Sequence, residues 1–181
     1  MTCIVAIADK GKVYMGADSY GSNGYSGTYV SNPKCFVSGE FLIGCTSTFR
    51  LIDLLTHHFK VPKVHEDEHC DADKFMRVYF INAVRKCLTD NNHIKNTNGM
   101  EEGGNFLVGY RGNIYEIQPD FSVLNVPEYG GSVGSGENAA RGSLWTTKDL
   151  KMSPQNRVLV ALQSAEAVHC GVRGPFVQLV K

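Results

Sequence analysis

The sequence predicts an α+β fold, and a four-layer α-β-β-α sandwich with two antiparallel sheets between two helical layers fits the order of its elements. Three observations predict it. Strand-like and helix-like segments come in groups, strands then two helices then strands then two helices then a strand, which argues for segregated layers and against β-α-β units. Short apolar runs rich in β-branched residues turn back at Gly-containing dipeptides, as antiparallel hairpins do. Two segments carry apolar residues at three- and four-residue spacing, the period of an amphipathic helix.

The elements follow in chain order. Thr2 to Ala8 is apolar, Asp9-Lys10-Gly11 is a turn, and Lys12 to Ala17 is apolar again, a hairpin that starts at the second residue. Asp18 to Tyr29 is dense in Gly, Ser, Asn and Tyr and reads as a loop or irregular strand pair. Lys34 to Val37 and Glu40 to Gly44 form a second hairpin turning at Ser38-Gly39. Ser47 or Thr48 then caps a helix whose Phe49, Ile52, Leu55 and Phe59 share a face, ended by Pro62. A second helix runs from about Asp73 to Asn91, with Phe75, Val78, Tyr79, Ala83 and Leu88 on or near one face. The polar stretch 91–104 reads as a connecting loop, and strands return in NFLVGYRG, NIYEIQP and FSVLNVP. Gly130 to Gly136 reads as a glycine-serine turn, followed by helices at about 137–147 and 154–169, the latter opened by Ser153-Pro154. PFVQLVK is a terminal strand.

Composition narrows the class. A chain of 181 residues suggests one domain over 1–181, able to bury roughly 70% of its unfolded surface. Eighteen basic and eighteen acidic residues balance, so no nucleic-acid or anionic-membrane partner is expected, and near-neutrality suits an oligomer. Six scattered cysteines without a CxxC pair, behind an N-terminus that lacks a signal peptide's pattern, read as reduced thiols in a cytoplasmic protein. No run reaches the ~18 apolar residues of a membrane span.

The chemistry starts at Met1-Thr2. Aminopeptidases remove an initiator Met that precedes a small residue, and Thr would then carry a free α-amine with an ordinary pKa of ~7.7–8.0. Such an amine can act as general base toward its own residue's hydroxyl. Asp18, in GADS, lies sixteen residues after Thr2, and Lys34 sixteen residues further on. A lysine favours loss of the hydroxyl proton and lowers the amine pKa, while a carboxylate orients and neutralises the lysine. In IGCTS, Gly44 is read at a strand-to-helix junction, where its N–H can point at a developing oxyanion. In GSGENAA, Ser135 sits in a tight turn ahead of a helix and can hydrogen-bond the Thr2 amine or relay its proton.

With these residues in hand, the sequence resembles proteasome β subunits and, in its bare N-terminus, the bacterial HslV peptidase. Thr2, Asp18 and Lys34 fall at the family's separations, and Gly44 and Ser135 match its oxyanion glycine and G-S-G turn. The resemblance implies the N-terminal-nucleophile (Ntn) hydrolase fold and a threonine endopeptidase with no metal or organic cofactor. In that chemistry Thr2 Oγ attacks a peptide carbonyl and water releases the acyl-enzyme. It further implies a peptide or unfolded-protein substrate, a ring-type homo-oligomer and an ATP-dependent unfoldase partner. The match lapses near the last helix, where the family carries an Asp followed three residues later by a Ser; here Ala167 and Cys170 stand in those places, with Glu166 one residue away. Without a prosegment, activation is expected to depend on removal of Met1.

Other features have plainer readings. His65 to Asp71 (HEDEHCD) holds potential metal ligands but reads as a charged loop. Cys3 is an alternative nucleophile, yet on a strand it points opposite to Thr2. Thr46 and Arg50 are candidate pocket residues, and Tyr20, Tyr25 and Tyr29 line a groove, a subunit contact or an ordinary loop. Trp145, His57 and His58 read as packing and helix-end residues. Two alternatives to a peptidase remain at this level, a small-molecule amidohydrolase on the same fold and a catalytically silent assembly subunit.

Overall fold

A computed structural model describes residues 1–62 and 71–181. The charged segment His65 to Asp71, apart from Asp71 itself, lies outside the described residues.

Two antiparallel sheets lie face to face between helices. The first has strand order β12(Gly131–Gly134), β1(Cys3–Asp9), β2(Lys12–Ala17), β13(Val177–Val180). The second has order β11(Val123–Asn125), β10(Asn113–Ile117), β9(Phe106–Tyr110), β6(Phe41–Cys45), β5(Cys35–Ser38). Helices α4(Glu137–Thr146) and α5(Pro154–Val168) cover the first sheet; α1(Phe49–His57), α2(Ala72–Lys74), a π-helical segment (Phe75–Phe80) and α3(Ile81–Asp90) cover the second. This is the four-layer sandwich expected from the grouping of the elements.

Strand β1 shows why the start of the sequence is apolar throughout. Side chains alternate across a strand. Cys3, Val5 and Ile7 face the layer of α4 and α5, while Ile4 and Ala6 face the opposite sheet with Val13, Met15, Leu42 and Leu107. Both faces are dry from Cys3 to Ile7, so no polar position remains there. Gly44 marks where the two sheets approach most closely: a Cβ there would lie 2.5 Å from Ile4 Cγ2 and 2.7 Å from Met15 Sδ.

Three readings change. The stretch 91–104 holds a hairpin, β7(Lys95–Thr97) and β8(Met100–Glu102), turning at Asn98-Gly99 with both residues at positive φ. Asn-Gly is a strong hairpin signal, masked here because neither strand is apolar. Gly131–Gly134 is an edge strand paired to β1, with Cys3 opposite Gly134, so the glycine-serine turn is shorter than expected. Val78 and Tyr79 are 41% and 47% exposed, off the expected helix face, while Phe75, Met76, Phe80 and Val84 are buried. The π-helical segment supplies the reason: a wider turn rotates the face that a uniform 3.6-residue period assigns.

The stretch 18–29 resolves as a strand pair, β3(Tyr20–Ser22) and β4(Gly27–Tyr29). Thr48 caps α1, its side chain accepting from the Leu51 N–H at 3.1 Å. Phe49 turns away from the α1 core and meets Gly21 of β3. Among the described residues, no helix is long and apolar enough to cross a membrane.

Candidate active site

The site forms where β1 begins, because three chain segments converge on that end. The β2–β3 junction brings Asp18, the approach to β5 brings Lys34, and the turn between β12 and α4 brings Ser135. The equal spacing of Thr2, Asp18 and Lys34 therefore has a structural counterpart: each step is one excursion out and back to the same sheet end.

Asp18 and Lys34 form a fully buried ion pair. Lys34 Nζ donates to Asp18 Oδ2 at 2.9 Å and Oδ1 at 3.0 Å, and neither side chain is solvent-exposed. Asp18 also accepts from the Cys3 N–H at 2.9 Å and the Tyr20 N–H at 3.1 Å. The carboxylate thus pins the first strand residue after Thr2 to the lysine. Lys34 completes its shell with the Tyr20 carbonyl at 2.6 Å and the Met1 carbonyl at 3.2 Å. Burial pulls the Lys34 ammonium below the usual lysine range, and Asp18 opposes that pull.

Thr2 lies directly against this pair. Its Oγ1 donates to the Met1 carbonyl at 2.7 Å, the same oxygen that Lys34 contacts. Its backbone N–H donates to Ser135 Oγ at 3.1 Å, and Ser135 Oγ returns a bond to the Thr2 carbonyl at 3.2 Å. Hydroxyl, backbone nitrogen, lysine and serine are therefore linked through hydrogen bonds that all touch Met1 or Thr2.

Gly44 is not placed as expected. It lies inside β6, opposite Cys35 on β5 and Leu107 on β9. Cys45 donates to the Lys34 carbonyl and Thr46 to the Asn105 carbonyl, so antiparallel alternation turns the Gly44 N–H into the ladder toward β9. Its role is close sheet packing, and the strand-to-helix junction begins two residues later. There Ser47 adopts φ 67° and Thr48 opens α1. Thr46 is buried, with Oγ1 on the Asn105 carbonyl at 2.7 Å, and Arg50 is exposed.

Cys3 faces the helices, and its thiol is pushed up to about 12 by burial, with Asp18 and Glu137 adding to the rise. Such a shift disfavours the thiolate that a cysteine nucleophile needs. Glu166 turns toward the Gly174 N–H at 2.9 Å, Ala167 and Cys170 are exposed, and Gly171 meets the Met1 side chain, where a Cβ would collide with Sδ. Sequence reasoning missed two residues here. Gly171 seats Met1, and Glu137 accepts from the Gly134 N–H at 3.1 Å. An acidic residue directly after G-S-G at a helix start was the available signal for the second.

No family model matches the sequence, and no curated protein matches it. Solved structures do resemble it. Thiobacillus denitrificans BPH in complex with epoxomicin aligns with a TM-score of 0.82 at 15% identity over 99% of this chain and 97% of that one. The eukaryotic HslV of Trypanosoma brucei aligns at TM-score 0.68 and 14% identity over 98% of both chains. An Anbu mutant from Hyphomicrobium sp. strain MC1 aligns at 0.69 and 14% over 100% of this chain and 81% of that one. At these identities the likeness is one of fold, and the chain has the proteasome-like Ntn-hydrolase fold.

Proposed function

We propose that the protein is a threonine peptidase of the proteasome-like kind, with Thr2 as nucleophile once Met1 is removed. The observation that carries this reading is the buried Asp18–Lys34 pair, whose ammonium reaches the carbonyl joining Met1 to Thr2 at 3.2 Å. A fully buried ion pair is weak as a stability device, so its position beside the chain start is better explained by chemistry. With Met1 gone, the Thr2 amine takes the proton of its own Oγ while Oγ bonds to the substrate carbonyl carbon. The Lys34 charge favours that proton's departure, and Ser135 orients the amine. Collapse of the intermediate passes the proton to the leaving amine, and water then releases the acyl group from Oγ. With Met1 in place, Thr2 N is an amide without basicity, and the chain is inactive.

The proposal extends to one Ntn domain over 1–181, cytoplasmic placement, a ring-type homo-oligomer and an unfoldase partner. A Pseudomonas aeruginosa Anbu complex forms a helical assembly, so native mass of this protein separates a closed ring from a helix or a monomer.

The first measurement is intact mass with and without a peptide epoxyketone, which bonds both the amine and the hydroxyl of an N-terminal Thr. Epoxomicin, bound in the T. denitrificans neighbour, is the probe to use. A Met-free chain that gains one inhibitor mass, and a Thr2→Ala chain that does not, is the expected result. A Met-free chain that never labels refutes the assignment.

A further inference from the structure

We infer that Glu137 is a positioning residue of the Thr2 site, holding the turn that carries Ser135 and adding negative charge beside the Thr2 amine. This rests on the peptidase reading above.

The geometry starts at Gly134. Its φ of 103° is a conformation that glycine adopts without strain, and a Cβ there would strike the Thr2 carbonyl oxygen. The turn is thus pressed against Thr2 with no side chain between. Ser135 is solvent-exposed and is held at its hydroxyl by the Thr2 N–H and carbonyl, so a further anchor on the turn sharpens its placement. Glu137 does so from the first turn of α4. Its Oε2 accepts from the Gly134 N–H at 3.1 Å, and its carbonyl accepts from Ser132 Oγ at 2.8 Å. The residues on both sides of Ser135 are also tied to Thr2: Gly134 by that contact, and Gly136 by an N–H to the Thr2 carbonyl at 3.4 Å. From this turn Ser135 Oγ meets the Thr2 nitrogen at 3.1 Å.

Charge reinforces the placement. Glu137 is close enough to Cys3, the next residue, to help hold its thiol protonated. Among the described residues, Asp18 and Lys34 lie on one side, and His169 accepts from the Gly171 N–H in the segment packed against Met1. Glu116 and Arg141 lie behind Glu137 itself. Glu166 is turned to Gly174. A carboxylate near an ammonium stabilises the charged form, so Glu137 raises the Thr2 amine pKa against the pull of Lys34.

The test uses Met-free protein and two variants. Competitive acetylation by trace acetic anhydride across pH, read from the mass of the N-terminal peptide, gives the Thr2 amine pKa without any turnover. Glu137→Gln keeps an oxygen acceptor for Gly134 but loses the charge; the amine pKa is expected to fall by about half a unit. Glu137→Ala loses both, and kcat is expected to fall about tenfold with KM within about twofold, while Glu137→Gln restores most of kcat. Wild-type kcat in Glu137→Ala together with an unchanged amine pKa in Glu137→Gln overturns the inference. Equal loss in both variants with a lowered Tm and an unmoved amine pKa also overturns it, as a contact that merely supports the helix. If the wild-type chain neither turns over nor labels, the peptidase reading fails by itself, and the amine titration alone decides the placement of Glu137.

Discussion

Among the described residues, Asp18 and Lys34 form an ion pair in which neither side chain is exposed. Each is without solvent, so each needs the other. Asp18→Asn leaves the ammonium buried and unpaired and is expected to destabilise by about 3–5 kcal/mol, read from urea midpoints. The sign with pH follows from the direction of the lysine shift. In the variant, the folded state binds the Lys34 proton more weakly than the unfolded chain does. Stability therefore rises as pH climbs from the depressed folded pKa toward the ordinary lysine value. Denaturation of Asp18→Asn at pH 7 and pH 9.5 checks this: the variant gains on wild type at the higher pH. Equal spacing of Thr2, Asp18 and Lys34 was legible in the sequence because each lies at the end of a strand excursion. Glu137 was not, because its significance depends on a carbonyl 135 positions earlier in the chain, that of Thr2.

At the scale of elements, end contacts matter more than propensity. Thr48→Ala removes the α1 cap and is expected to cost about 1 kcal/mol, a lowering of Tm by a few degrees without loss of fold. Asp73 in α2 joins the second helical layer to its sheet, accepting from Tyr115 Oη at 2.9 Å and from Asn125 Nδ2 at 3.0 Å. These bonds, from Asn125 first and Tyr115 next, hold the Asp73 carboxyl below its ordinary value of 3.8. A depressed acid stabilises above its unfolded pKa, and the benefit disappears as pH falls through the folded one. The stability gap between wild type and Asp73→Asn is therefore expected to be full at pH 5 and to shrink below about pH 3.8, followed by thermal melts. The sequence showed this helix but not its face. Residues Phe75–Phe80 wind as a π-helix to bring Phe75 and Phe80 onto Phe41, a demand set by the sheet below.

For the whole molecule, the close approach of the two sheets needs glycine at Gly44, against Ile4 and Met15, and at Gly109, against Val13. Gly44→Ala pushes a methyl into Ile4 and Met15 and is expected to destabilise by about 1–3 kcal/mol. Because the Gly44 N–H belongs to the ladder with β9, the folded fraction of that variant is expected to keep wild-type kcat and epoxomicin labelling. A kcat loss of a hundredfold or more at full folding restores Gly44 as an oxyanion donor.

The sequence by itself determined the layering, the hairpin that begins at residue 2 and the gathering of Thr2, Asp18, Lys34 and Ser135. The layering and the hairpin follow from local periodicity and turn residues, which a linear reading contains; the grouping of the four site residues follows from the resemblance to proteasome β subunits. Only the tertiary structure decided that Gly44 packs between sheets, that Gly131–Gly134 is a strand, that Val78 and Tyr79 turn outward and that Glu137 stands behind the G-S-G turn. Each depends on what lies opposite in space. A glycine reads the same whether it frees an N–H or makes room for a neighbouring sheet, and packing across the layers settles which.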